Sequence, residues 1–543
     1  MTQDRLSRGA LGALSLAVLL VVFGAPLLGW PRVVRLPAVL FPAIVLALLI
    51  ARPWRWPDIN RIALEWQPSA RFVRTAALVA GSLLFWYVLT RFRSGEINAI
   101  DFTVYYDRPC FQTTQGRPLF VEVSDTPGFS YRSELADHAY WALLPICSVY
   151  LINPSPLWLH ALSAIAIVAG AFYALRILQR LGAGGVLACA TALAFILNDN
   201  TACTLNYGFH PEVLYAWFVP WMIDAGLRGA RGPFLVAVLA CVAVKEDACL
   251  PILAATTALA LHRWSGMTWA DRRIFLVVPN VLALANLAVY YGYVTPLLAG
   301  KAGASYAHFW GNYGDTPTMV LLAMASQPLS VAKGVLSSGI FRVILPHLYL
   351  PLVGWRWAIG LLPLVAIYGA SSNDQVRGFG IYYAIVTVPF LVIAASWGAL
   401  VVARRFLAGE GKAQLAAAAV VVSGALLVES WHRGYSLRPW KAAVAAVPEA
   451  VRQLSKEPVV LVQSGLFPHA GYSESFKLLT PETLSDPRHK NAVVLLAQGV
   501  GAYPFPGGRK LKDKVLAGLM ELPQVIDLPG QLKAVRLPKS AAS

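Results

Sequence analysis

The sequence predicts an α-helical polytopic membrane protein with about 13 transmembrane helices and a small α/β domain at its C-terminal end. Of its 543 residues, 57% are hydrophobic and 13% are charged, whereas a soluble domain is about one quarter charged. Apolar runs recur from residue 11 to residue 428, and helices of about 20 residues cross a bilayer. After residue 438 short β-type runs replace the long apolar runs.

The basic residues indicate orientation rather than nucleic-acid binding. The net charge is +17, but Arg and Lys cluster in short loops between apolar runs, as the positive-inside rule expects of cytoplasmic loops. We therefore predict a cytoplasmic N-terminus and a first unit, residues 1–74, with a hairpin at 11–30 and 36–51. The lipid bilayer is the partner that these charges indicate, and nucleic acid is excluded.

Residues 75–430 form the predicted transmembrane core. Its outer loops are predicted at 92–138, 198–212, 298–334 and 371–383. Its helices are predicted at about 75–91, 157–178, 184–203, 213–227, 274–297, 335–353, 356–370, 384–402 and 413–429. Residues 139–152 are apolar but short and end at "NPSP", which predicts an interfacial segment rather than a span.

Three adjacent charges interrupt the apolar stretch 233–262, namely Lys245, Glu246 and Asp247. Basic residues flank the stretch at both ends, so two short helices with the charges at an outer turn fit the orientation. A single long helix is the alternative, but it would spread adjacent side chains over about 200° of its surface. At least one charge would then tend toward lipid, where it is costly.

The C-terminal unit, residues 431–543, is predicted to be extracytoplasmic. "EPVVLVQ", "SFKLLT" and "NAVVLLA" predict strands, Lys510 to Met520 predicts a helix, and "QVIDLPGQLKAVRL" predicts a hairpin. Cys110 lies in a loop without an evident partner, and the chain contains no CxxC pair. We therefore predict neither a disulfide framework nor a zinc site.

Polar residues gather on the predicted outer face in four groups: Asp101; Asp137 and His138; Asp199, His210 and Glu212; and the three adjacent charges. Carboxylates and histidines suit proton abstraction or a divalent metal, and a cation suits a phosphate leaving group. Each also has a structural interpretation, such as a solvated loop, a helix start or an ion-pair network. Arg377, Tyr382 and Tyr383 are weaker candidates.

The same residues carry a resemblance to a known family. "AIDFTVYYDRP" after one helix, and the run from "GRPLF" to "INPSP", resemble the GT-C superfamily of membrane glycosyltransferases. "GFHPEVLY" and "KED" more specifically resemble an uncharacterised family of polytopic bacterial membrane proteins, named as a domain of unknown function and grouped with GT-C enzymes. The resemblance covers roughly residues 75–505 and implies a GT-C-like fold in the bacterial inner membrane.

By resemblance, the donor is a sugar carried on a polyprenyl phosphate, and Asp101 is the catalytic base facing an extracytoplasmic acceptor. GT-C enzymes differ in metal use, which leaves Mg²⁺ or Mn²⁺ open, with Asp101, His210 and Asp247 as candidate ligands. The chain lacks a WWDYG-like motif, which argues against oligosaccharyltransferase activity.

On side-chain chemistry we add Glu246 and Asp247 as catalytic candidates and Lys245 as the ligand of the donor phosphate. The other predicted substrate-binding residues are His138, His210, Glu212, Arg377 and Tyr382. Two other functions stay open. A transporter or lipid flippase would use the same charges as a relay, and a structural envelope protein would need them only for stability.

Overall fold

The computed structural model describes residues 63–122, 133–299, 307–314, 316–431, 435, 437–501, 518–519 and 525–537. The predicted N-terminal hairpin lies outside the described residues, as does most of the helix predicted at Lys510 to Met520.

Long apolar helices dominate the described part of the chain. Five are long and apolar enough to cross a membrane: Ala70–Arg93, Leu157–Arg180, Gly185–Tyr207, Trp269–Leu298 and Ile385–Phe406. A sixth span results if Thr318–Ser326 and Pro328–Leu336, which meet at 91°, are taken together. The helical membrane class agrees with the sequence, and the total of about 13 spans stays a prediction.

Other helices of intermediate length complete the bundle: Tyr215–Arg228, Arg231–Val242, Cys249–Arg263 and Glu410–Trp431. Shorter helices connect these elements: Arg108–Thr114, Leu143–Cys147, Ala307–Trp310, Pro317–Ser326, Ile340–Ile344, Trp355–Ala358, Leu362–Gly369 and Asp374–Arg377. The segment at 139–152 contains only a short helix and a 3-10 turn, as its length predicts.

Prolines explain where the helix predictions fail. The predicted helix at 335–353 is wrong, because short pieces at Ile340–Ile344, Leu345–His347 and Leu350–Leu352 replace it. Pro346 and Pro351 each remove a backbone donor from this stretch. The stretches predicted as outer loops also contain structure, such as the helix Asp199–Tyr207 within 198–212.

Two glycines fix how the first long helices pack. Gly170 of Leu157–Arg180 lies against the backbone of Tyr215–Arg228, where a Cβ atom would collide with the carbonyl oxygen of Ala216. Gly229 ends the second of these helices with a left-handed φ of 69°, which glycine adopts without steric cost.

The charged turn comprises Lys245, Glu246 and Asp247. The helix Arg231–Val242 ends before it, and the helix Cys249–Arg263 begins after it. Lys245 has an extended backbone with φ −164° and ψ 162°, and a 3-10 turn, Glu246–Ala248, leads into the second helix. The predicted break between two short helices is therefore confirmed, and the single long helix is wrong.

The C-terminal unit contains the mixed sheet that its sequence predicts. Its strands are β1 Val460–Val462, β2 Phe476–Leu478, β3 Val493–Leu496, β4 Val525–Leu528 and β5 Leu532–Arg536. The strand order is β2-β1-β3-β5-β4, with β1 parallel to β2 and β3, and with β5 antiparallel to β3 and β4. The helix Ala442–Gln453, which the sequence analysis missed, packs on this sheet, and a short helix runs Pro481–Ser485.

The sheet domain also packs against the loop that carries Asp101. Ile100 and Val104 belong to the same buried cluster as Val447 and Val460 of the domain. The backbone N–H of Ala99 donates to the Ser464 hydroxyl at 3.4 Å. The domain therefore holds one side of the predicted base.

The cysteine prediction is wrong at one position, because Cys110 forms a disulfide with Cys147 over a sequence separation of 37 residues. The bond joins the helix Arg108–Thr114 to the helix Leu143–Cys147. No local spacing motif marks this pair, since the two cysteines meet only after the loop folds back.

We expect Cys110→Ser to lower the free energy of unfolding by about 4 kcal/mol, because a loop of this length loses much entropy when it is closed. Denaturant unfolding in detergent, with and without a reducing agent, measures the loss. Cys189→Ala is the control, since Cys189 is a free thiol. Alkylation of the unreduced, unfolded protein at all 6 cysteines instead of 4 would contradict the bond.

Candidate functional site

Asp101 begins a π-helical segment, Ile100–Asp107, that follows the first described span. Its Oδ2 atom accepts short hydrogen bonds from the Asn98 amide and from the Tyr207 hydroxyl. Oδ1 carries no hydrogen bond within the described residues. Burial raises the pKa of Asp101 to about 6, against the opposing effect of these two donors. Such a carboxyl is a base near neutral pH and has one oxygen left for a substrate.

His210 lies in an aromatic cage next to Asp101. Its ring stacks on Tyr382 with centroids 3.6 Å apart, and the Tyr207 ring lies at 5.4 Å. Its Nδ1 atom lies 3.1 Å from the Tyr106 hydroxyl. Burial lowers the pKa of His210 to about 3, so the ring is neutral at physiological pH. Tyr207 thus touches both Asp101 and His210.

Lys245 and Glu212 form a buried ion pair. The Lys245 Nζ atom lies 2.8 Å from Glu212 Oε1, and the two residues are 7% and 3% exposed. Glu212 Oε2 is 3.8 Å from His210 Nδ1. These contacts extend the polar network from Asp101 through Tyr207 and His210 to the charged turn. The predicted phosphate ligand is therefore paired with another predicted site residue.

Glu246 fixes the segment that carries His138. Its Oε1 atom lies 2.8 Å from His138 Nδ1, and its Oε2 atom accepts from the backbone N–H of Ala139 at 2.9 Å. Burial alone lowers the pKa of His138, but the carboxylates of Glu246 and Asp137 outweigh it and raise the pKa. His138 and Glu246 therefore act as one charge-assisted pair.

Asp247 accepts hydrogen bonds from two tyrosines that the sequence analysis did not name. Tyr215 donates to Oδ1 at 3.1 Å, and Tyr368 donates to Oδ2 at 3.3 Å. Both carboxylate oxygens are thereby occupied. This arrangement holds the charged turn against two other helices.

Arg377 lies apart from this network. Its guanidinium pairs with Asp374 in the same short helix, and its side chain is 42% exposed. Tyr382 belongs to the site through its stacking on His210. Substrate binding by Arg377 stays a prediction without a contact to the other site residues.

The residues do not form a ready metal site. Over the described ranges, no group of three or more His, Cys, Asp or Glu side chains converges as metal ligands. The candidates Asp101, His210 and Asp247 accordingly each bond to neighbouring side chains instead. Divalent metal binding stays a prediction, and the roles assigned to the site residues do not depend on a metal.

A second buried carboxyl, Asp107, ties the outer loop to the sheet domain. The hydroxyls of Tyr150 and Tyr472 donate to its Oδ1 atom at 2.7 and 2.9 Å. Tyr472 also stacks on Phe111, with centroids 4.5 Å apart. The motif "VYYDRP" contains Asp107, so its sequence signal was present, but its partners lie more than 40 residues away.

The solved structures that match this chain are distant in sequence. ArnT from Cupriavidus metallidurans bound to undecaprenyl phosphate is 12% identical with a TM-score of 0.45, covering 88% of this chain and 100% of that chain. Its apo state gives 13% and 0.46 with the same coverage. Arabinofuranosyltransferase AftD from Mycobacteria gives 13% and 0.44, covering 88% of this chain and 40% of that chain. No curated protein matches the sequence.

A family match covers most of the chain and contains the whole site described above. Residues 97–477 match the family described as "Predicted membrane protein (DUF2079)". The matched range includes "FHPE" and "KED", the motifs that carry the resemblance to a family of unknown function. The chain therefore belongs to this family of membrane proteins.

Proposed function

We propose that the protein is a GT-C-type membrane glycosyltransferase that moves a sugar from a polyprenyl phosphate donor to an extracytoplasmic acceptor. The observation that carries this proposal is the setting of Asp101, a partly buried carboxyl with a pKa raised to about 6 and one oxygen without a hydrogen bond within the described residues. A general base needs a free oxygen and a pKa near the working pH. Asp101 also shares Tyr207 with the His210 ring, whereas Asp107 contacts Tyr150 and Tyr472.

In the proposed reaction, Asp101 takes the proton of an acceptor hydroxyl as its oxygen bonds to the anomeric carbon of the sugar. The bond between that carbon and the phosphate oxygen breaks, and its electron pair leaves with the phosphate. Lys245 and the protonated form of His138 supply positive charge on the other side of the site, where the leaving phosphate develops negative charge. Glu246 and Asp247 position this side of the site. Glu246 acts through His138, and Asp247 acts through Tyr215 and Tyr368.

The arrangement of Lys245 makes one demand on this mechanism. Its ammonium group already pairs with Glu212, so a donor phosphate must share that group with a carboxylate. Among the described residues, Glu212 Oε2 has no hydrogen-bond partner. A change of partner at Lys245 therefore breaks only the bond to Glu212 Oε1. The neutral His210 ring and Tyr382 would then line the sugar site between the base and the phosphate.

The proposed orientation puts this site on the outer side of the bacterial inner membrane, with the N-terminus in the cytoplasm and the sheet domain outside. The disulfide between Cys110 and Cys147 lies on the loop that carries Asp101, and disulfides form outside the cytoplasm. At the opposite end, Asp224 pairs with Arg176, Arg180 and Arg228, a basic cluster typical of cytoplasmic ends.

The test uses the purified protein reconstituted with polyprenyl phosphate lipids extracted from its own membrane. A transferase consumes the sugar-bearing lipid and forms bare polyprenyl phosphate when a membrane extract supplies the acceptor. Mass spectrometry measures both lipids. A flippase would leave the sugar on its carrier while it changes leaflet, and a structural protein would bind neither lipid, so either result would reject the proposed function.

A further inference from the structure

Glu134 is a buried carboxyl group that the proposed reaction does not yet use. It begins the 3-10 turn Glu134–Ala136, and its exposed fraction is 2%. Ser133 caps this turn, and the backbone N–H of Glu134 donates to the carbonyl oxygen of Leu119 at 3.0 Å. The backbone therefore holds the side chain inside the protein at a fixed place.

The carboxyl group of Glu134 lacks the partners that its neighbours have. Its Oε1 atom is buried and has no hydrogen bond to any residue that the structure describes. By contrast, Glu212 pairs with Lys245, and Glu246 pairs with His138. Within the described residues, no ion pair involves Glu134. Native proteins leave few buried polar atoms unpaired, so this carboxyl, on a residue whose backbone carbonyl oxygen accepts from the backbone N–H of His138, is a candidate to bond a ligand.

The surroundings of Glu134 decide what that ligand is. Burial, followed by the charges of Asp137 and Asp101, raises the pKa of Glu134 well above its usual value. The raised pKa favours the protonated form, and a protonated carboxyl both donates and accepts hydrogen bonds. The neighbouring carboxylates repel an anionic phosphate. A hydroxyl group, which is neutral and both donates and accepts, fits best.

We propose that Glu134 binds a hydroxyl group of the sugar carried by the donor. The inference rests on the proposed function and extends it to the sugar subsite. The backbone N–H of His138 donates to the carbonyl oxygen of Glu134 at 2.9 Å, and the His138 ring is bonded to Glu246 of the charged turn. The sugar must lie between base and phosphate, and Glu134 lies on the segment that connects these two sides.

The test compares Glu134→Gln with Glu134→Met. Glutamine keeps a donor and an acceptor at the same place, whereas methionine is of similar length and keeps neither. Each variant is purified from the same membranes, and mass spectrometry measures the ratio of sugar-bearing to bare polyprenyl phosphate bound to it. Added undecaprenyl phosphate is the probe for the phosphate side. Glu482→Met, at an exposed position of the sheet domain, is the matched control.

We expect the ratio for Glu134→Met to fall about 5- to 150-fold, since an unmet hydrogen bond leaves the sugar hydroxyl buried without a partner. Glu134→Gln and the control should stay within about threefold of wild type, as should binding of undecaprenyl phosphate to all variants. Glu134→Met should unfold at the same or a higher temperature, because it removes an unpaired buried group. A structural role predicts a lower temperature instead.

Two results would overturn the inference while leaving the proposed function in place. One is an unchanged ratio in Glu134→Met. The other is an equal fall in Glu134→Gln and Glu134→Met, which would mean that a charged carboxylate is required. Wild-type protein that binds no polyprenyl phosphate lipid would instead reject the proposed function, and the inference with it.

Discussion

Asp101→Asn is expected to lower the rate of sugar transfer by about 10²- to 10⁴-fold, the usual contribution of a positioned general base. Asparagine can still accept from Tyr207 and Asn98, the two donors that hold Asp101, but it cannot take a proton. Transfer from the co-purified donor lipid, measured by mass spectrometry, gives the rate. Donor binding should change by less than about threefold, because Asp101 faces the acceptor.

The pH profile of the wild type provides an independent check on Asp101. Because the pKa of Asp101 is raised to about 6, its deprotonated form, which acts as the base, is lost as the pH falls through this value. The rate should therefore fall about tenfold per pH unit below pH 6. Stability should change in the opposite direction. A carboxyl with a raised pKa binds its proton more tightly when folded, so protonation between pH 6 and pH 4 stabilises the protein at this residue.

Asp486→Asn is the matched control for the pH experiment, because Asp486 lies in the sheet domain and pairs with Arg488. Burial contributes little there, and the Arg488 side chain lowers the pKa of Asp486 to about 2. Its replacement should leave the rate and the pH profile unchanged. A rate in Asp101→Asn within about threefold of wild type would exclude Asp101 as the base.

Lys245→Met is expected to destabilise the protein by about 3–5 kcal/mol, because it leaves the Glu212 charge buried without its partner. The pair is almost fully buried, with exposed fractions of 7% and 3%, so solvent does not screen it. The double variant Lys245→Met with Glu212→Gln should recover most of this loss, since a neutral pair removes the stranded charge. Unfolding in mixed micelles measures the free energy of unfolding of the wild type, of Lys245→Met and of the double variant.

The control for the ion pair is Arg404→Met, which breaks a pair with Glu410 whose side chains are 40% and 37% exposed. Exposed pairs contribute about 0–1 kcal/mol, so this variant should unfold close to wild type. Equal losses in the single and double variants at Lys245 would show that the side chains contribute by packing rather than by charge. The double variant should be stable but without transfer, because the proposed phosphate contact is gone.

Much of the architecture follows from the hydropathy pattern, since each long apolar run has one energetically acceptable structure in lipid. The helix at 157–178 is observed at Leu157–Arg180, and the break at the charged turn is where three adjacent charges require it. The strands β1, β2 and β3 also lie on the short apolar runs that predict them. The helix predicted at 335–353 is not observed for a local reason. Prolines divide an apolar run whose composition alone predicts one helix.

The site was less predictable because its contacts join distant parts of the chain. The motifs identified Asp101, His210, Glu212 and the charged turn, but not that Lys245 is held by Glu212 or His138 by Glu246. The tyrosines around Asp247 carry no motif, since a tyrosine in an apolar run is also an ordinary packing residue. Glu134 lies three residues before Asp137, but the sequence does not single it out, because burial without a partner is not visible in a sequence.

The sequence alone therefore determined that this is a helical membrane protein with a mixed sheet domain, and which outer segments carry ionisable groups. Both results follow from the solvent around each side chain, because it is costly to expose an apolar side chain to water or a charge to lipid. The tertiary structure decided which groups are paired and which are left unpaired, including the disulfide between Cys110 and Cys147. The pairs join residues that are 33 to more than 100 positions apart in the chain, and only the packed chain sets the distances between them.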